Sequence, residues 1–250
     1  MSSLDEKIKL VDETLSELDS LQFFQTQPHK CSYLDDKNAS TVFLNPRQSI
    51  DKALYSRLSE YGFRRSGKHI YKPLCADCNA CVPMRIPVDL FKPNRQQKRC
   101  WKRNQDLYVA SVNTIDTDEH YDLYAHYIAR RHADGDMYPP SREQFCSFLA
   151  EHWPSTQYYE FRDADGTLVA TSVADIMDNG ISAVYSYYSP EQAKRSLGKY
   201  LILFLIEESK NLGLPAVYLG YWIKACQKMQ YKSSYRPLEI QNGDQWLLVP

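Results

Sequence analysis

Two tight-turn signals set the character of the second half of this chain. Asp163-Ala-Asp-Gly166 and Asp178-Asn-Gly180 each end in glycine after Asp or Asn, which suits the left-handed backbone of a short hairpin. They join three runs, residues 157 to 161, 167 to 175 and 181 to 188, rich in the Tyr, Val and Thr that fit a pleated, half-buried surface. Upstream, residues 107 to 112 read as a strand. Residues 117 to 131 read as a helix with Thr117 as N-cap and Tyr121, Leu123, Tyr124, Tyr127 and Ile128 as its apolar stripe. Ser141 with Gln144 forms a capping box that opens a second helix to about residue 152. Downstream, a helix from about 196 to 211 stops at Gly213 and Pro215, before a strand at 216 to 220. The order β-α-α-β-β-β-α-β calls for an α+β domain.

The first half is built on other signals. Cys75, Cys78 and Cys81 form two overlapping C-x-x-C units, and Cys31 is a distant fourth thiol. Four thiolates suit a tetrahedral site, zinc or an iron–sulfur cluster, and Pro73, Pro83 and Pro87 bracket the run as a rigid knuckle. Disulfides or scattered buried thiols are the rival use. Secretion would favour disulfides, but the first residues show neither the basic nor the apolar stretch of a signal peptide. The longest apolar run, Leu201-Ile-Leu-Phe-Leu-Ile206, ends at Glu207 and Glu208, far short of a membrane span. The expectation is a cytoplasmic protein without membrane contact. Residues 3 to 19 read as an amphipathic helix, with Ser3 and Glu6 as a capping box. We expect a cysteine module with a basic stretch over residues 1 to 105 and a second domain over 106 to 250.

Net charge is −1, so bulk charge does not argue for a polyanion partner. Its placement does. Residues 92 to 103 hold six basic side chains and no acidic one; Arg95, Lys98, Arg99, Lys102 and Arg103 are candidates for gripping RNA phosphates, with Trp101 for stacking. A solvated basic helix face is the plain alternative.

The strand and helix order of residues 106 to 250 resembles the Gcn5-related acyltransferase (GNAT) fold. That resemblance implies a Q/R-x-x-G-x-G/A loop whose amides cradle a pyrophosphate at a helix start. Here the loop is Arg195-Ser-Leu-Gly-Lys-Tyr200; Arg195 and Gly198 fit, but Tyr200 stands where a small residue is expected. We read this as an acyl donor other than coenzyme A or a nucleotide.

More specific segments follow one another along nearly the whole chain. They are Cys31-Ser-Tyr-Leu34, Gly62-Phe-Arg-Arg-Ser-Gly67, Cys75 to Pro87, Arg131-His-Ala-Asp-Gly135, Ala183-Val-Tyr185, Arg195-Ser-Leu-Gly198, Tyr218-Leu-Gly-Tyr-Trp-Ile223, Lys228-Met-Gln-Tyr-Lys232 and Tyr235-Arg-Pro237. In these the chain resembles the aminoacyl-tRNA–protein transferases of the N-degron pathway, closest to their short bacterial leucyltransferase branch. The resemblance implies transfer of leucine from leucyl-tRNA to the α-amino group of proteins that begin with Asp or Glu. The eukaryotic pattern has a C-x-x-C near its start, whereas Leu34 holds the second position here. The metal candidates Cys31, Cys75, Cys78 and Cys81 therefore rest on spacing alone.

Aminolysis of an activated ester needs positioning, a proton acceptor and help for the oxyanion. Tyr185, Tyr187 and Tyr221 at strand ends, and Asp175 as general base, are the catalytic candidates. An acidic acceptor needs cations: Arg64, Arg65, Arg131, His132, Lys228 and Lys232 are candidates, beside Arg195 and Gly198 of the loop. The alternatives are an arginyltransferase with the same acceptors, a coenzyme A-dependent N-acetyltransferase and a non-enzymatic zinc RNA-binding module.

Overall fold

The computed structural model describes residues 20–151 and 153–250, and the helix expected over residues 3 to 19 lies outside them. The first described strands are short: β1 (Phe23–Gln25), β2 (His29–Lys30), β3 (Asn38–Ala39) and β4 (Thr41–Leu44). After helix α1 (Lys52–Glu60), whose Asp51 side chain accepts from the Leu54 amide, come β5 (Arg64–Ser66) and β6 (His69–Pro73). Strands β1, β4, β6 and β5 form one small sheet in that order, and β2 pairs with β3.

The rest of the chain builds the large sheet and its helices. Its elements are β7 (Val82–Pro87), α2 (Arg95–Arg103), β8 (Tyr108–Val112), α3 (Asp118–Arg131), α4 (Arg142–Phe145), β9 (Thr156–Arg162), β10 (Leu168–Met177), β11 (Gly180–Tyr188), α5 (Leu197–Asn211), β12 (Ala216–Trp222), β13 (Leu238–Asn242) and β14 (Gln245–Val249). The local signals work as the residues demand. Thr117 caps α3 at 3.3 Å from the His120 amide, Ser141 caps α4, and the Asp-Gly and Asn-Gly turns make β9, β10 and β11 an antiparallel meander. The helix expected to run to about residue 152 is shorter, widening into a π turn at Cys146–Ala150.

The sheet order is β14-β13-β7-β12-β11-β10-β9-β8, which makes the chain a mixed α/β protein. Strand β7 precedes residue 105 yet lies between β12 and β13, so the large sheet runs across the expected 105/106 boundary. The two faces are buried by different helices, as period-two alternation requires. On one, Leu197, Leu201, Leu205 and Ile206 of α5 pack with Met84, Ile86, Phe161, Ile181 and Val217. On the other, Tyr124, Tyr127 and Ile128 of α3 pack with Phe145, Tyr158, Val173 and Tyr187. A third cluster joins Tyr55, Leu58 and Ile70 to Met177, Ala216 and Tyr218, so the early segment rests on the same sheet.

One irregularity positions the site. Strands β11 and β12 run parallel and pair only at Ile181↔Val217 and Ser182↔Tyr218. Beyond that point they part.

Candidate active site

The gap between the parting strands is a cavity of about 680 Å³. Its walls are Ala183 to Ser186 and Tyr188 of β11, Leu219 of β12 and the first turn of α5. The end of α3 and the 3₁₀ segments Pro190–Arg195 and Gln227–Ser234 close it. The aromatic wall is continuous. Tyr188 packs 4.8 Å from Tyr127 with the rings tilted, and the Tyr127 ring lies 5.1 Å from the His132 ring. Gly198 lets Tyr188 sit against α5, because a Cβ there would stand 3.1 Å from the Tyr188 hydroxyl oxygen.

Arg131, Lys199, Lys228 and Lys232 line this cavity with His132, and no Asp or Glu is among its described wall residues. Lys228 ion-pairs with Asp134 at 2.7 Å. Lys232 is only 9% exposed, and its Nζ donates to the Tyr221 carbonyl at 2.6 Å. Burial, and then the Arg64 guanidinium, lower its pKa from the usual 10.5 to about 8. Arg64 itself lies behind the wall where the strands part. Its Nη2 donates to the Ala183 carbonyl at 2.7 Å and its Nη1 to the Tyr218 carbonyl at 3.5 Å. It thereby supplies a side-chain donor to backbone acceptors at the edge of the split. Neither Arg64 nor Lys232 has an ion-pair partner among the described residues. His132 caps α3, with its Nε2 3.0 Å from the Tyr127 hydroxyl. Burial first, then Lys228 and Arg131, push its pKa below the usual 6.5, so its imidazole is neutral at pH 7.

Of the residues expected from sequence, Tyr185, Arg131, His132, Gly198, Lys228 and Lys232 meet at this cavity. Others do not. Asp175 is fully buried and accepts from Arg65 Nε and Nη2, both at 2.7 Å, from Thr156 at 2.7 Å and from Tyr55 at 3.0 Å. Its lone pairs are taken, so it is a structural anion rather than a base, and Arg65 is its partner rather than a substrate ligand. Tyr187 is buried beneath α3 with its hydroxyl 3.0 Å from His120, and Tyr221 donates to the Gly62 carbonyl at 2.7 Å. Arg195 turns away to a bidentate pair with Asp106 at 2.8 and 2.7 Å. The sequence reading missed Tyr127 and Lys199; adjacency to Gly198 was the available signal for Lys199.

Tyr200 also differs from expectation. Its ring is 4% exposed and lies in the core, 5.4 Å from Trp101 and 5.8 Å from Phe161. It does not obstruct the α5 start, so it does not by itself discriminate against a phosphate ligand. The same packing occupies Trp101, which was expected to be free for stacking. Helix α2 faces its basic residues outward: Gln97 and Cys100 are buried, while Arg95, Lys98, Arg99, Lys102 and Arg103 have no ion-pair partner among the described residues. Arg99 and Arg103 border a smaller hollow of about 210 Å³ with Gln96, Cys100, Ser196 and Lys199.

Around the knuckle, Cys75 and Cys78 face each other in a β-bridge, and all seven cysteines are free thiols. Burial, followed by the neighbouring Cys75, Cys31 and Cys78, pushes the Cys81 thiol up to about 11. Among the described residues, however, no three His, Cys, Asp or Glu side chains are gathered into a group that could hold an ion.

Two family profiles match, described as arginine-tRNA-protein transferase, N terminus, over residues 29–99 and C terminus over residues 119–242. An aspartate/glutamate leucyltransferase of Saccharophagus degradans is 55% identical over 233 residues, covering 93% of this chain and 99% of that protein. One from Pseudomonas fluorescens is 55% identical over 235 residues, covering 94% and 100%. Among solved structures, FemX superposes with a TM-score of 0.52 at 7% identity, covering 92% of this chain and 88% of that one. That last likeness is one of fold.

Proposed function

Because this chain belongs to the arginine-tRNA-protein transferase family, alongside the aspartate/glutamate leucyltransferases, we propose that it moves leucine from leucyl-tRNA to proteins beginning with Asp or Glu. It is an aminoacyltransferase, and its product is a new N-terminal peptide bond that marks the acceptor for N-degron proteolysis. The observation that carries this reading is the cavity itself: aromatic, cationic and without an acidic residue among its described wall. Such a wall suits a carboxylate-bearing acceptor and a phosphate-bearing donor. It offers the guanidinium of an arginyl group no carboxylate partner among its described residues. A leucyl side chain needs no more than the apolar surface that Tyr185, Ile202 and Leu219 supply.

In the reaction, the neutral α-amino nitrogen of the acceptor attacks the ester carbonyl carbon that joins leucine to the terminal ribose of the tRNA. The C–N bond forms, the C–O bond breaks, and the ribose oxygen leaves with a proton. His132, neutral and on the wall, takes the proton that the amine sheds and hands it to the departing ribose oxygen. Lys232, with Arg64 behind it and Arg131 nearby on the wall, meets the acceptor carboxylate. The ester is already activated, so no coenzyme A or nucleotide takes part. Arg95, Lys98, Arg99, Lys102 and Arg103 of α2 grip the tRNA.

Cys31, Cys75, Cys78 and Cys81 are read as a structural zinc or iron–sulfur site on their spacing and the chemistry of four thiolates, which would have to draw together around it. No step of the transfer runs through it. No helix among the described residues is long and apolar enough to cross a membrane, and we place the reaction in the cytoplasm, where tRNA is charged. The test is incubation with leucyl-tRNA, arginyl-tRNA or an acyl coenzyme A and peptides beginning with Asp, Glu, Asn or Ala. A leucine mass gain on Asp and Glu peptides alone is expected; preferential use of another donor refutes the reading.

A further inference from the structure

The hollow between α2 and the start of α5 adjoins the main cavity, and the two share Ser196 and Lys199. It carries three cations, Arg99, Arg103 and Lys199, and no acid among its described wall residues. Several arginines elsewhere in this protein are neutralised. Arg195, next to the hollow, holds Asp106, Arg142 holds Asp116 and Asp118, and Arg162 holds Glu119 and Glu160. Arg99, Arg103 and Lys199 have no ion-pair partner among the described residues.

The hollow is also rigidly framed. The Cys100 thiol donates to the carbonyls of Arg195 at 3.6 Å and Ser196 at 3.5 Å, and Asn104 Nδ2 donates to the Arg195 carbonyl at 2.9 Å. With Trp101 packed on Tyr200, these bonds fasten α2 to the turn at Ser196. There a left-handed backbone (φ 56°, ψ 47°) swings the chain into α5. Arg103 donates on to the Lys194 carbonyl. Arg103 is thus tied to the frame, and Arg99 and Lys199 border the same small space.

We infer that this hollow holds the phosphodiester just upstream of the donor's terminal nucleotide, with Arg99, Arg103 and Lys199 around its oxygens. The aminoacylated ribose then passes Ser196 into the cavity. The inference rests on the proposed transfer from aminoacyl-tRNA and deepens it by assigning the donor a direction. Phosphate oxygens accept from guanidinium and ammonium groups without reading sequence, as a shared acceptor end requires. The geometry also separates the two substrates. Gly198 at the donor side touches Tyr188, Tyr188 packs at a tilt on Tyr127, and only beyond that ring stands His132 with Arg131 and Lys228. Donor and acceptor therefore enter from opposite ends of an aromatic pair, with the ester between them.

The test compares three donors with an Asp-initiated peptide: leucyl-adenosine, leucyl-cytidylyl-adenosine and leucyl-tRNA. In the wild type, the added phosphodiester of the dinucleotide should raise kcat/KM about ten- to hundredfold over leucyl-adenosine, the value of a charge-assisted hydrogen bond. In Arg103→Gln and in Lys199→Gln that ratio should fall toward one. The slope of log affinity for tRNA against log salt should become shallower by about 0.7 for each phosphate that is no longer neutralised. A dinucleotide advantage that survives both substitutions overturns the inference while leaving the transfer reading intact. If the wild type uses no leucyl donor, the transfer reading falls instead. The hollow is then judged by titrating cytidylyl-adenosine against adenosine, where equal affinity in the wild type also overturns it.

Discussion

Replacing Lys232 with Met should remove most of the preference for an acidic acceptor. Holding the Lys232 pKa at about 8 rather than 10.5 means that its charge is kept at a cost of about 3 kcal/mol relative to water. Its one hydrogen-bond partner among the described residues is a backbone carbonyl, so a docked carboxylate is the group that offsets this cost. An Asn-initiated peptide has the same shape and no charge. Recovering about 3 kcal/mol corresponds to a preference for Asp over Asn of roughly a hundredfold or more, within the range of about 2–5 kcal/mol for a buried charge pair. The pH sign follows. Lys232 is cationic below about 8 and loses its charge as pH rises through that value, so the Asp/Asn ratio should be flat from pH 6 to 7 and shrink above 8. Both acceptor amines deprotonate with a pKa of about 7.7–8.0, which cancels in the ratio and leaves the lysine visible. Because the folded-state pKa is depressed, the stability penalty is full below about 8 and is relieved toward 10.5. Lys232→Met should therefore fold at pH 7 with little loss, the relief being set against about 1–3 kcal/mol for the Tyr221 carbonyl left without a donor. The assay is the rate of mass gain on paired Asp and Asn peptides from pH 6 to 9.5, with thermal melts alongside. A normally folded variant that keeps the wild-type ratio would refute the argument.

Three further outcomes test other parts of the site. His132→Gln should lower kcat by about 10²–10⁴. Protonation of the acceptor amine below about 8 lowers both profiles alike. Since the His132 pKa is depressed, the ratio of wild type to variant should stay constant above the usual imidazole range and fall only at more acidic pH. Asp175→Asn should destabilise the fold by about 3–5 kcal/mol, because Arg65 would stay buried without its anion; a variant with unchanged melting but lost activity would return Asp175 to the chemistry. Cys78→Ser should lower both bound metal, by elemental analysis, and melting temperature; if neither changes, the cysteine site is not a metal site.

Much of this protein is legible from short stretches of sequence. The meander β9 to β11 follows from its two turns, and the starts of α3 and α4 follow from Thr117 and Ser141, because these interactions close within about four residues. The family motifs also brought Arg131, His132, Gly198, Lys228 and Lys232 to notice as a set. Where each cation spends its charge is another matter. Arg64 and Arg65 are neighbours in one motif, yet β5 alternation sends Arg65 to Asp175, 110 residues away, and Arg64 to carbonyls at the split between β11 and β12. Strand β7 contains Pro83 and Pro87, which argue against an interior strand. It lies inside the sheet because β13 pairs only with Met84 and Arg85, so the prolines meet β12 alone. Tyr200 turns into the core for a similar reason, since Trp101 and Phe161 wait there. The periodicity of a segment specifies which face is apolar; which buried donor finds which acceptor is decided by elements far apart in the chain, and only their packing brings them together.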